Sequence, residues 1–167
     1  MNASAKRVAR LAALTALGVV LLLLTNVVPA GKLGLMALAS LPVCIARMMY
    51  DWKWSAGVFA VTAILGFLMF PGTTAIGYAL FFGYYPIAKS LFERVRGTWQ
   101  PWALKFALYA AAFAAGWFLA RALFSGAVEQ LPWYGVFVIG AMVFVVYDFC
   151  YSLIIRFYLE RIARYLP

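Results

Sequence analysis

The chain has 167 residues, 67% of them hydrophobic and 11% charged. A soluble domain of that size cannot hide so much apolar surface, so lipid must be a large part of its solvent. A net charge of +9 would suit nucleic acid in a soluble protein; here the basic residues flank apolar runs, which points to topology and anionic lipid and against a nucleic-acid partner.

Crossing the hydrocarbon core as a helix takes about 20 apolar residues. Period-2 alternation is absent, which excludes a barrel. The first apolar run covers about 8–28 and closes on "PAGK". Its basic start and small-residue end resemble a signal peptide, but the run is longer than a typical signal h-region and fits a retained span. The second run covers about 33–50, and "DWKW" (Asp51 to Trp54) then forms a charged turn. The third is about 55–70, ended by "PGTT", and the fourth about 75–94. The fifth is about 101–124, after "GTWQPW", and the sixth about 133–158, after "SGAVEQLPW". The expected fold is therefore an all-α integral membrane protein, a single domain with six antiparallel transmembrane helices.

Charge sets the orientation. With six spans, one side holds Lys6, Arg7, Arg10, Arg47, Lys53, Lys89, Arg94, Arg96, Lys105, Arg156, Arg161 and Arg164, and the other only Lys32 and Arg121. Twelve against two places both termini in the cytoplasm. The last helix extends past the sixth span in "RFYLERIARYLP", where Arg156, Glu160 and Arg164 share a face. That end can snorkel to headgroups or dock a cytoplasmic partner.

Three sets of residues stand out along these spans, two of them polar. Lys89 follows Pro86 inside "FFGYYPIAKSLFER" and stands four residues before Glu93; Asp148 sits in "VFVVYDFCYSL". Lys89 can pair with Glu93 on its own helix or with Asp148 across the bundle, and Arg47 and Lys105 are rival partners for Asp148. Such a buried pair fixes helix register or serves as a proton or conformational relay, and Pro86 permits a bend beside it. At the exoplasmic side, Arg121 has Asn26, Tyr78, Phe81, Phe82, Trp117, Phe124, Trp133 and Tyr134 on the same face. This is an aromatic belt with a snorkelling arginine, or a cationic and aromatic site for a small solute; Glu129 is a further partner for Arg121. The third set is small: Ala9 and Ala13, and Ala12 and Ala16, form two AxxxA pairs on the first helix, a surface another helix can approach closely.

Enzyme chemistry has little to work with. No GxxxxGK[ST], HExxH or GxSxG motif and no histidine is present. Cys44 and Cys150 lie inside apolar runs without metal-ligand spacing. No catalysis, cofactor or metal is expected.

With its alanine-rich first helix, "ARLAALTALGVV", the chain resembles the substrate-binding S components of energy-coupling factor (ECF) transporters. Those are small six-helix bacterial membrane proteins with cytoplasmic termini. The resemblance implies that Ala9, Ala12, Ala13 and Ala16 dock on a transmembrane coupling subunit that carries two ATPases. It also implies that Arg121, Asn26, Tyr78, Phe82, Trp117, Trp133 and Tyr134 line a solute site. It covers nearly the whole chain in layout but only the alanine pairs in motif. The loop "VPAGKLG" is shorter than a ligand-capping loop there, and no vitamin-specific signature is present. The rod-shape-determining membrane subunits have a similar size and fold. They define the alternative: a non-transporting scaffold of a cell-envelope or morphogenesis complex.

Overall fold

A computed structural model describes residues 3–28, 31–69, 72–93, 97, 99–123, 132–157 and 160. Several expectations fall outside these: Arg94, Arg96, Phe124, Glu129, Arg161 and Arg164, and the outer limits of the third, fourth, fifth and sixth spans. The described residues are helical apart from short turns, with no strand among them. The chain divides into two compact units, 1–116 and 117–167.

In the first unit, α1 (Ala3–Val27) runs about 37 Å at about 1.5 Å per residue, enough to cross a bilayer. Leu11, Gly18, Val19, Leu22 and Thr25 are its buried positions, a stripe at helical spacing. The stripe packs on α2 (Lys32–Ala39), α3 (Leu41–Met49) and α4 (Trp52–Met69). Contact is close because Gly18 has no side chain: a Cβ there would lie 3.1 Å from Thr62 Cγ2 and 3.6 Å from the Ala39 carbonyl oxygen. Leu11, Val43, Ala46 and Val58 form the core where α1, α3 and α4 meet, flanked by Tyr50, Phe59 and Ile87.

The second expected span is broken. Pro42, in the first turn of α3, has no N–H to continue the α2 ladder. Ala39, Ser40 and Val43 are buried around this break, and polar groups near it are bonded, as burial away from water requires. Ser40 donates its backbone N–H and its hydroxyl to Ala37 O, at 3.2 and 2.6 Å. The Tyr78 hydroxyl donates to Ala39 O at 3.4 Å. Ser55 of α4 donates to Val43 O at 2.9 Å.

The fourth expected span is also in pieces: α5 (Thr73–Gly77), a π-helical turn (Tyr78–Phe82) and α6 (Tyr85–Phe92). The wide turn closes where Gly83 N donates to Tyr78 O at 2.7 Å. Gly83 is pressed on Phe59: an added Cβ would stand 2.5 Å from Phe59 Cε2 and 2.8 Å from Tyr78 Cε1. Pro86 thus does not bend a continuous helix. It lies in the first turn of α6, where the missing N–H costs nothing and its fixed φ suits a helix start.

Side-chain contacts fix how these helices run. Arg7, near the start of α1, lies over the rings of Tyr50 and Trp54 at 5.8 and 5.7 Å. Arg47 of α3 donates from Nε to Ser90 Oγ of α6 at 2.9 Å. At the far end, Thr74 of α5 donates to Asn26 Oδ1 of α1 at 2.9 Å. Helices α1, α2–α3, α4 and α5–α6 therefore alternate in direction, the expected antiparallel arrangement.

α7 (Gln100–Leu123) begins in the first unit and ends in the second, which also contains α8 (Trp133–Phe157). Within α8, Tyr147 and Tyr151 stack one turn apart at 5.4 Å, and Ser152 donates to Asp148 O at 2.8 Å. Among the described residues five helical runs are long and apolar enough to cross a membrane: Ser4–Val27, Lys32–Met49, Trp52–Met69, Gln100–Ala122 and Trp133–Phe157. This is the architecture of a membrane protein.

Candidate docking face and ion-pair site

Helix geometry sets the alanine face. At about 100° per residue, Ala9, Ala13 and Ala16 fall within about 60° of one another, opposite the stripe of Leu11, Gly18, Leu22 and Thr25. All four alanines, Ala12 included, are exposed, while that stripe is buried. Leu17 and Val20 border the alanines and are also exposed. One side of α1 is thus consumed by its own bundle, and the other presents small side chains.

The second feature is a cluster of charge at the end marked by Arg7 and Arg47. Glu93, at the C-terminal end of α6, places Oε1 3.5 Å from Lys89 Nζ and 3.6 Å from Lys105 Nζ. The carboxylate side chain is 49% exposed, whereas the lysine side chains are 1% and 6% exposed. Two buried ammonium groups therefore meet one half-exposed acid, which lowers the cost of holding them out of water. Lys105 Nζ also lies 5.1 Å from the ring centre of Trp102. The i,i+4 pairing of Lys89 with Glu93 is visible in the sequence. The Lys105 contact is not, because it joins α6 to α7. Asp148 is 3% exposed and belongs to the second unit.

The residues considered as a solute site divide between the units: Asn26, Tyr78 and Phe82 in the first, Trp117, Arg121, Trp133 and Tyr134 in the second. In the first unit, Tyr78 is fully buried, its hydroxyl bonded to Ala39 O and its ring 6.2 Å from that of Phe59. Phe82 is buried in the same turn. Asn26 donates to Leu22 O at 3.1 Å and accepts from Thr74. It borders a shallow recess with Val19, Leu22, Gly66 and Ala75, too small for a water molecule. In the second unit Arg121, Trp133 and Tyr134 are exposed, and the last two rings meet edge to face at 6.2 Å.

Among the described residues no group of three or more acidic, cysteine or histidine side chains is placed to hold a metal. The chain matches no protein-family model, no curated protein and no solved structure.

Proposed function

We propose that the chain is a six-pass subunit of a bacterial cytoplasmic membrane that joins a transmembrane partner through the alanine face of α1. α7 and α8 supply the fifth and sixth crossings, and α5, the π turn and α6 together make the crossing between α4 and α7. Their 20 residues, 73–92, suffice for a hydrocarbon core of about 30 Å. The termini face the cytoplasm. Supporting this, the first-unit contacts gather Arg7, Arg47, Lys89 and Lys105 at one end, with Lys32 at the start of the α1–α2 return.

The observation that carries the reading is the division of α1 into a packed stripe and an exposed face of small residues. Without a hydrophobic drive between helices in lipid, small side chains favour association by letting backbones approach. By the resemblance to ECF S components, the partner is a coupling subunit with two ATPases, and the cargo is a small solute held near Arg121. Native mass spectrometry of the detergent-purified protein tests both parts, since it detects bound subunits and bound small molecules together. Neither kind of adduct would remove the transport reading.

One observation favours the non-transporting scaffold. Tyr78 and Phe82 are packed into the first unit, and the recess beside Asn26 admits no solute. On that reading the same α1 face recruits a cell-envelope enzyme or morphogenesis subunit, and a partner is found without a co-purifying solute.

A further inference from the structure

We propose that Glu93, Lys89 and Lys105 form a headgroup site for an anionic phospholipid, with a lipid phosphate oxygen competing for the position that Glu93 Oε1 occupies. The site needs only the membrane setting and stands apart from any solute or coupling subunit.

Three observations on separate groups converge. First, one oxygen position lies within 3.6 Å of two ammonium groups carried by different helices, α6 and α7. Lysine holds phosphate as a point charge, so two converging lysines suit one phosphate oxygen without demanding a planar partner. Second, the occupant of that position is the outermost group: the Glu93 side chain is 49% exposed, against 1% and 6% for the lysines. A half-exposed carboxylate can give way to another anion that keeps the two lysines paired. Third, the depth is right. Trp102, touching Lys105, is 42% exposed and Trp99 is 85% exposed. Exposed tryptophans mark the headgroup level of a membrane protein. Arg47 of α3 bonds Ser90 of α6, which places a further cation near the same end of α6. Basic pockets between helices at this level are where acidic headgroups are held.

The chemistry required of the ligand is a phosphodiester with net negative charge at the bilayer surface. A zwitterionic headgroup carries its own ammonium, which the two lysines repel.

The test is native mass spectrometry of the full chain released from detergent containing equal amounts of phosphatidylglycerol and phosphatidylcholine, with and without inorganic phosphate. Wild type should retain phosphatidylglycerol preferentially. Lys105→Met and Lys89→Met should each lower the preference by about fivefold. Lys105→Arg, which keeps the charge, should restore most of it and guards against a loss caused by misfolding. Glu93→Gln, at a half-exposed position, should raise retention severalfold by removing an anion that competes for the two lysines. Equal retention of the two lipids overturns the proposal, as does a preference untouched by either lysine variant or weakened by Glu93→Gln. Displacement of the lipid by millimolar inorganic phosphate also overturns it, since the site would then serve a soluble anion.

Discussion

One carboxylate oxygen of Glu93 holds two buried lysines, Lys89 at 3.5 Å and Lys105 at 3.6 Å. This contact resolves why an apolar helix tolerates a lysine: its ammonium ends at a paired position near the end of α6. Deleting the acid leaves both ammonium groups without it. The penalty for Glu93→Gln should fall between the ~1 kcal/mol of an exposed pair and the ~3–5 kcal/mol of a broken buried one. Thermal unfolding in detergent of Lys89→Met, Glu93→Gln and the double variant measures the coupling. Strict additivity would show that the pair contributes nothing.

Gly83 should not accept a side chain. An alanine Cβ would lie 2.5 Å from Phe59 Cε2 and 2.6 Å from Phe59 Cδ2. Gly83→Ala is expected to cost ~1–3 kcal/mol by overpacking. Phe59→Leu in the same chain should recover part of that loss, since the ring edge is the nearer obstacle. Unaltered stability in Gly83→Ala would mean that the π turn and α4 do not meet so closely.

The two faces of α1 should respond oppositely to bulk. Gly18→Val forces side-chain atoms toward Thr62 and the Ala39 carbonyl and should lower stability by ~1–3 kcal/mol. Ala13→Trp enlarges an exposed position and should change the isolated chain's stability by under ~0.5 kcal/mol. A comparison of melting temperatures in one detergent decides it. Equal destabilisation by both would place Ala13 inside the bundle.

How far the sequence predicts this arrangement depends on the range of each interaction. Runs of apolar residues bounded by charge mark α1, α4, α7 and α8, because crossing lipid is a local requirement on about 20 residues. The break at Ser40 has a local signal in Pro42. The π turn has none: "YALFFG" reads as ordinary helix, and Phe59, which packs on Gly83 beside it, comes from another helix. The ion pair divides in the same way. Lys89 and Glu93 are one turn apart in sequence, while Lys105 reaches Glu93 from α7, and Arg47 reaches Ser90 from α3. From sequence alone Tyr78 and Phe82 suit a solute site, because an aromatic residue near a membrane surface looks alike in a pocket and in a core. The Tyr78 contacts with Ala39 and Phe59 join distant parts of the chain and have no local signal.

Orientation has its own check. Single cysteines at Gly31 and Gly72 should react with an impermeant maleimide added outside intact cells, and cysteines at Trp52 and Gly97 should not. Outside labelling at Trp52 would contradict the assignment of the basic end to the cytoplasm.

The docking role proposed for α1 has a direct test. A photo-crosslinking residue placed at Ala13, with a second at Ile139 on the exposed face of α8, probes it in native membranes. The expected result is a covalent adduct at Ala13 with a multi-pass membrane protein that co-purifies with ATP-hydrolysing or cell-envelope subunits, and only lipid adducts at Ile139. Lipid adducts alone at both positions would contradict the claim that the alanine face meets a partner.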